Sequence, residues 1–263
     1  MMQRTLTAIL AIIVLLPFVI YGGLPFTLFV YVIATIGLME LMRMHKIDMY
    51  SLPSILAIVF LWITLFPIHS ASGYIGITDL TQTEVVTVFV LLLLSYTVLV
   101  KNKFTFDDAG FILLAVIYIG MGFYYLIETR NAGLNYIFYA LFIVWATDTG
   151  AYVFGRLLGK RKLWPKISPK KTIEGALGGV LLACIVSIVF QLTYPFPFSM
   201  LVVVGATIVA SIFGQIGDLV ESAFKRHYNV KDSGNILPGH GGILDRFDSL
   251  LFVLPLLHFI GFI

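Results

Sequence analysis

Apolar runs of about twenty residues follow one another along the chain, separated by short polar breaks. Each is long enough to carry a helix through the ~30 Å hydrocarbon layer of a bilayer. They fall at roughly 5–21, 24–42, 52–68, 85–100, 110–127, 136–155, 175–193, 200–222 and 247–262, which predicts nine spans. Backbone polar groups inside a bilayer must be satisfied internally, so the predicted fold is an all-α, polytopic integral membrane helical bundle. Spans and short breaks consume the chain and leave no room for a separate soluble domain. A division into residues 1–135, with five spans, and residues 136–263, with four, is expected. The second part carries two long polar loops, 156–174 and 225–246.

Composition agrees. The 263 residues are 59% hydrophobic and only 12% charged, against about 25% charged in a soluble domain. Mean hydropathy is +0.98. The N-terminal run has one positive charge, Arg4, before an apolar core. With no small-residue cleavage site following, it reads as an uncleaved first span. The single cysteine, Cys184, excludes an intramolecular disulfide and a cysteine-based metal site, and reads as a small core residue.

Charge sets the orientation. With the N-terminus in the cytoplasm, sixteen of the seventeen Lys and Arg residues fall on the cytoplasmic side, and only Arg130 falls outside. A multi-pass protein of the cell membrane is therefore expected, with its N-terminus and both long loops cytoplasmic and its C-terminus outside. No nucleic-acid partner is expected.

Three places exceed what a bundle needs. Asp148 ends an apolar run in the sixth span, between Thr147 and Thr149, and an intramembrane carboxylate is a functional candidate. The competing reading pairs it with Arg156. Gly150 and Gly155 on the same run would admit a neighbouring helix closely. Next, Ser168-Pro169-Lys170-Lys171-Thr172 puts two ammonium groups and two hydroxyls just before a helix opened by Glu174-Gly175. Such a helix start suits phosphate, although a Walker A pattern is absent.

The third place, Gln215 to Asp248, dominates. It holds Asp218, Glu221, Asp232, Asp245 and Asp248 among the chain's fourteen acidic residues, together with Lys225, Arg226, Lys231 and Arg246. Residues 200–214 before it and 249–263 after it contain no Asp, Glu, Lys or Arg. Asp218, Glu221, Ser222 and Lys225 are spaced three and four apart and share a helical face, as do Asp245 and Asp248. Oxygen-only donors favour Mg²⁺ or Mn²⁺ over zinc. A buried salt bridge, for example to Arg246, is the competing reading. Pro238-Gly239-His240-Gly241-Gly242 describes a tight loop able to offer N–H groups to an anion. Cationic side chains beside a divalent ion are the equipment of phosphoryl or nucleotidyl transfer.

The run from Ser222 to Asp248 resembles the signature of the phosphatidate cytidylyltransferases, also called CDP-diacylglycerol synthases. The similarity covers Ser222, Lys225-Arg226, Lys231-Asp232, Pro238-x-His240-Gly241-Gly242 and Asp245-Arg246-x-Asp248. Ser168 to Gly175 and the span with Asp148 resemble two further shared stretches of that family. The resemblance implies transfer of the cytidylyl group of CTP to phosphatidic acid, giving CDP-diacylglycerol and pyrophosphate, with a homodimer as the family's assembly. On that reading Asp218 and Asp248, assisted by Asp245, hold Mg²⁺ or Mn²⁺, with room for a second cation. CTP phosphates lie against Lys225, Arg226, Lys231 and the His240 loop. Ser168, Lys170, Lys171 and Thr172 complete the nucleotide pocket, and Arg246 and Asp148 contribute to substrate binding. The alternatives are a CTP-dependent membrane lipid kinase, which would release CDP, and a cation-coupled transporter using Asp148, Asp218 and Asp248 as its path.

Overall fold

A computed structural model describes residues 2–66, 82–239 and 241–263. In chain order the elements are α1 (Met2–Tyr21), α2 (Gly23–Met44), α3 (Leu52–Leu65), α4 (Gln82–Leu99), α5 (Phe106–Ala132), α6 (Leu134–Leu158), β1 (Lys162–Trp164), β2 (Ser168–Thr172), α7 (Ile173–Thr193), α8 (Met200–His227), α9 (Leu244–Phe247) and α10 (Leu250–Phe259). Helices α2, α5, α6, α7 and α8 are long and apolar enough to cross a membrane, and α3, α4 and α10 are shorter apolar helices. The protein is an all-α, multi-pass membrane protein, as the hydrophobic pattern predicts.

Two departures from that pattern matter for the site. The run expected at 247–262 is two pieces, α9 and α10, interrupted at Asp248 and Ser249. The Asp248 carboxylate accepts the Ser249 N–H at 2.7 Å, a local bond that competes with the helix ladder. The basic loop after α6 is an antiparallel hairpin, with Lys162 opposite Thr172 and Trp164 opposite Ser168.

The described chain groups into two compact units, residues 1–27 with 125–263, and residues 28–124. In the first, α6 packs most extensively against α7, and α8 packs on α7 and α10. Small residues make the α6–α7 approach possible, as expected of Gly150 and Gly155. A Cβ on Gly150 would lie 2.6 Å from the Gly178 carbonyl oxygen, and one on Gly175 would lie 2.7 Å from that of Ala151. Between helices in lipid, close backbone packing and interhelical hydrogen bonds replace the hydrophobic drive. Two such bonds tie α6 to α8: Tyr139 Oη to Thr207 Oγ1 at 2.6 Å, and Thr147 Oγ1 to Ser211 Oγ at 2.8 Å. At the same end as Tyr139, its ring packs with Phe190, Phe196 and Phe262 at centroid distances of 5.2–5.7 Å. Arg130, the one cation expected outside, donates to the Val19 and Ile20 carbonyls at the end of α1.

In the second unit, Phe60 of α3 stacks on Phe89 of α4 at 4.1 Å. Trp62 Nε1 donates to Thr35 Oγ1 of α2 at 2.9 Å. The start of α5 is a reciprocal cap: the Asp108 carboxylate accepts the Thr105 N–H at 2.8 Å, and Thr105 Oγ1 accepts the Asp108 N–H at 3.2 Å.

Candidate active site

The hairpin delivers the first part of the site. Side chains alternate along a strand, so Lys170 and Lys171 leave β2 on opposite faces. Lys170 is exposed, while Lys171 is half-buried and reaches α8. Its Nζ lies 2.5 Å from Asp218 Oδ2, with side chains 23% and 32% exposed. The hairpin is pinned at both ends. Thr172, buried, accepts the Gly175 N–H at 3.1 Å as the N-cap of α7. Glu174, in the first turn, accepts the Lys160 and Arg161 N–H groups at 3.0 and 3.2 Å. The Arg226 Nε donates to the Ile167 carbonyl at 3.3 Å, which joins α8 to the hairpin turn.

The second part is the polar face of α8. The spacing of its charged residues is borne out in contacts: Ser222 Oγ donates to Asp218 Oδ1 at 3.3 Å, and Lys225 Nζ reaches Glu221 Oε2 at 2.6 Å. Lys225 also reaches Asp245 Oδ1 at 2.6 Å, across twenty residues of sequence. The other Asp245 oxygen accepts three hydrogen bonds, from Ser233 N at 2.8 Å, Ser233 Oγ at 2.9 Å and Gly242 N at 2.8 Å. Burial alone would raise the Asp245 carboxyl. The Lys225 and backbone partners outweigh it and hold the group down at about 2. The glycine-rich loop thus spends N–H groups on an anion, and that anion is the protein's own Asp245. Gly241, at φ +82°, takes the left-handed turn this wrapping requires.

Asp248 enters from the break before α10. Gly217 lets it come close, since a Cβ there would lie 2.5 Å from the Asp248 carbonyl oxygen. Asp248 is in electrostatic reach of Asp218, Asp148 and Lys225, and Asp148 of Asp218, Lys171 and Arg246. Asp148 is exposed and is not paired with Arg156, whose guanidinium donates to Tyr152 Oη at 3.2 Å. Asp148, Asp218, Glu221, Asp245 and Asp248 therefore belong to one electrostatic cluster with Lys171, Lys225 and Arg246. Fully ionised, that set carries surplus negative charge.

The donors fit a hard divalent cation, since they are all carboxylate oxygens. Glu221, 1% exposed, keeps Oε1 buried with no hydrogen-bond partner among the described residues, while its other oxygen holds Lys225. A buried carboxylate oxygen left without a partner is costly, and a cation would meet that cost. Among the described residues no three His, Cys, Asp or Glu side chains are grouped to hold an ion as they stand. Lysine ammonium groups sit on Asp218 and Asp245 instead.

A sequence model of the cytidylyltransferase family matches residues 2–263. The chain belongs to that family. It is 54% identical over 263 residues to the phosphatidate cytidylyltransferase of Bacillus subtilis (strain 168), covering 99% of this chain and 97% of that protein. The enzymes of the same name from Staphylococcus saprophyticus and Staphylococcus aureus (strain COL) are 52% and 51% identical over 258 residues, covering 98% of both chains in each case.

Family membership agrees with the resemblance carried by Ser222 to Asp248. Among the residues singled out from sequence, Lys171, Asp218, Lys225 and Asp245 make direct contacts with one another in two pairs. Thr172 has its hydroxyl in a helix cap. Ser168 is half-buried, and Lys231 and Arg246 are exposed. His240 lies outside the described residues. Glu221 was legible only as part of the polar face, and its signal is the four-residue step to Lys225. Gly242 is legible as an N–H donor in a loop able to bind an anion, and only the fold shows that the anion is Asp245; Ser233 leaves no signal, because its role is to bond a carboxylate twelve residues away.

Proposed function

We propose that the protein transfers the cytidylyl group of CTP to phosphatidic acid, releasing pyrophosphate and giving CDP-diacylglycerol. The observation that carries this reading is the 2.5 Å contact between Lys171 of the basic hairpin and Asp218 of α8. It joins the phosphate-binding stretch to the carboxylate face within a chain of the cytidylyltransferase family.

A phosphatidate oxygen attacks the α-phosphorus of CTP. The bond from that phosphorus to the bridging β-phosphate oxygen breaks, and pyrophosphate leaves with the electron pair. Phosphatidate is already anionic at neutral pH, so the task is to bring two polyanions together. Lys170, Lys171, Arg226 and Lys231 neutralise the triphosphate, with Ser168 and Arg246 assigned to its binding and His240 given the same role by the family resemblance. Asp218 and Asp248 would hold a divalent cation, Mg²⁺ or Mn²⁺, and Glu221, whose Oε1 has no hydrogen bond among the described residues, stands beside them. That ion supplies charge neutralisation and orientation of the phosphates. Both Asp245 oxygens are already taken, so its work is to fix the loop and Lys225. Asp148 faces the same cluster from α6. The distribution of Lys and Arg supports a cytoplasmic site and N-terminus, and phosphatidate enters from the bilayer with its tails left in lipid.

The test uses purified protein in detergent with phosphatidic acid, Mg²⁺ and CTP labelled at the α-phosphate. Label in the chloroform-soluble fraction, with pyrophosphate released and both blocked by EDTA, is the expected result. Label in water-soluble CDP would mean a lipid kinase. No CTP consumption with any lipid would overturn nucleotidyl transfer.

A further inference from the structure

A second polar pocket lies in the unit formed by residues 28–124 and shares no residue with the cluster described above. It encloses about 380 Å³ and is bordered by two loops, residues 45–51 after α2 and residues 100–105 after α4. His45, Lys46, Ser51, Lys103 and Asp108 are among its lining residues, with Tyr96 and Phe104 forming an edge-to-face wall at 5.5 Å.

Its charges are unevenly committed. Asp48 Oδ1 accepts the Tyr50 N–H at 3.0 Å. Asp108 Oδ2 caps α5 through Thr105, and its Oδ1 faces His45 Nδ1 at 3.7 Å. Asp48 thus has one oxygen held by local backbone, and Asp108 has one oxygen in the helix cap and the other facing histidine. Lys46 and Lys103 have no ion-pair partner among the described residues, and both are exposed. The backbone adds a second observation. Lys46, Lys101 and Asn102 are left-handed, at φ 65°, 54° and 59°, and only Asn229 among the other described non-glycine residues shares that conformation. These residues cap α2 and α4, where the Ile47 N–H reaches the Met42 carbonyl at 3.0 Å and the Asn102 N–H the Thr97 carbonyl at 2.9 Å, and both capped turns border the same pocket.

We propose that this pocket binds a phosphate group, held by Lys46 and Lys103 with Ser51 at its edge. The residues lie at the ends of α2 and α4 and the starts of α3 and α5, where two turns of a polytopic bundle meet. A lipid headgroup reaches such a place, and so does a soluble phosphate. The chemistry is common to both, and the proposal does not rest on cytidylyl transfer.

The test is binding, measured without CTP on the full chain purified in detergent. The probes are dioctanoyl phosphatidylglycerol, dioctanoyl phosphatidylcholine and inorganic pyrophosphate, followed by native mass spectrometry. Beyond the pyrophosphate bound by the nucleotide site described above, the wild type is expected to bind a further copy of at least one anionic probe about tenfold more tightly than phosphatidylcholine. K46Q/K103Q should lose that preference with an unchanged melting temperature, and K46R/K103R should keep it. Lysine-dependent binding of phosphatidylglycerol alone assigns a lipid headgroup, and lysine-dependent binding of pyrophosphate assigns a soluble phosphate. Equal binding of all probes by the wild type, or undiminished preference in K46Q/K103Q, would overturn the site. Should the double variant fail to fold, K46Q and K103Q singly carry the same comparison.

Discussion

Two lysine–carboxylate clusters share the polar end of α8, and they are built differently. Lys225 is 14% exposed and sits between Glu221 and Asp245, at 2% and 6%. Every Asp245 oxygen is satisfied, and the partners come from a helix, a loop and a glycine turn. Lys171 and Asp218 are more open, at 23% and 32%, and among the described residues Asp218 has only Ser222 as a further partner, at 3.3 Å. In the closed cluster only Glu221 Oε1 is left without a hydrogen bond among the described residues, and the rest holds the loop in place. The open one keeps donors and acceptors that a triphosphate and a cation can take over. In this site, positioning and chemistry are assigned to neighbouring turns of one helix.

The sharpest way to separate the two is to delete the carboxylates outside the closed cluster. D218A and D248A should each lower label transfer from CTP to lipid at least about a hundredfold. Membrane insertion and melting temperature should stay close to wild type for D218A, whose partner lysine is partly exposed. Transfer within a few-fold of wild type in both variants would remove the open cluster from the chemistry.

The two lysines should then part company in stability. K225M leaves Glu221 and Asp245 buried without their cation, at a cost of about 3–5 kcal/mol. K171M removes a partly exposed pair worth about 1 kcal/mol or less. Chemical denaturation of the detergent-solubilised protein measures both. Equal losses would mean that the clusters are not built differently after all.

A smaller effect is set by acid. Asp245 has its carboxyl depressed from 3.8 to about 2 by Lys225 and the loop N–H groups. A depressed group stabilises the fold above its unfolded value and loses that contribution as pH falls through its folded one. The contribution, about 2 kcal/mol, should be complete above pH ~4 and fade toward pH ~2. Hydrogen exchange of the Ser233 and Gly242 amides reads it directly. D245N should abolish that acid limb, and a wild-type loop that opens near neutral pH would contradict the assignment.

Much of the molecule was legible from residue order alone. Apolar runs of spanning length are imposed by bilayer thickness, so helix existence survives any detail of packing. Steps of three and four on α8 put Asp218, Glu221, Ser222 and Lys225 on one face because helix geometry is local. Gly150 and Gly155 announced a close neighbour for a similar reason, since small side chains matter there only for contact. The hairpin at 162–172 was less legible. Its strands are short, charged and half exposed, so no alternating apolar signal marks them.

What the chain determined by itself was therefore its class, its spans and the faces of its helices, all set by solvent and by periodicity. Only tertiary structure decided which carboxylate meets which lysine. Asp218 takes Lys171, forty-seven positions earlier, and Asp245 takes Lys225. Nothing local distinguishes these choices, because every acid and base in the two stretches is a chemically adequate partner. Helix packing through Gly175, Gly178 and Gly217 sets the depths at which they meet, and distance then selects the pairs.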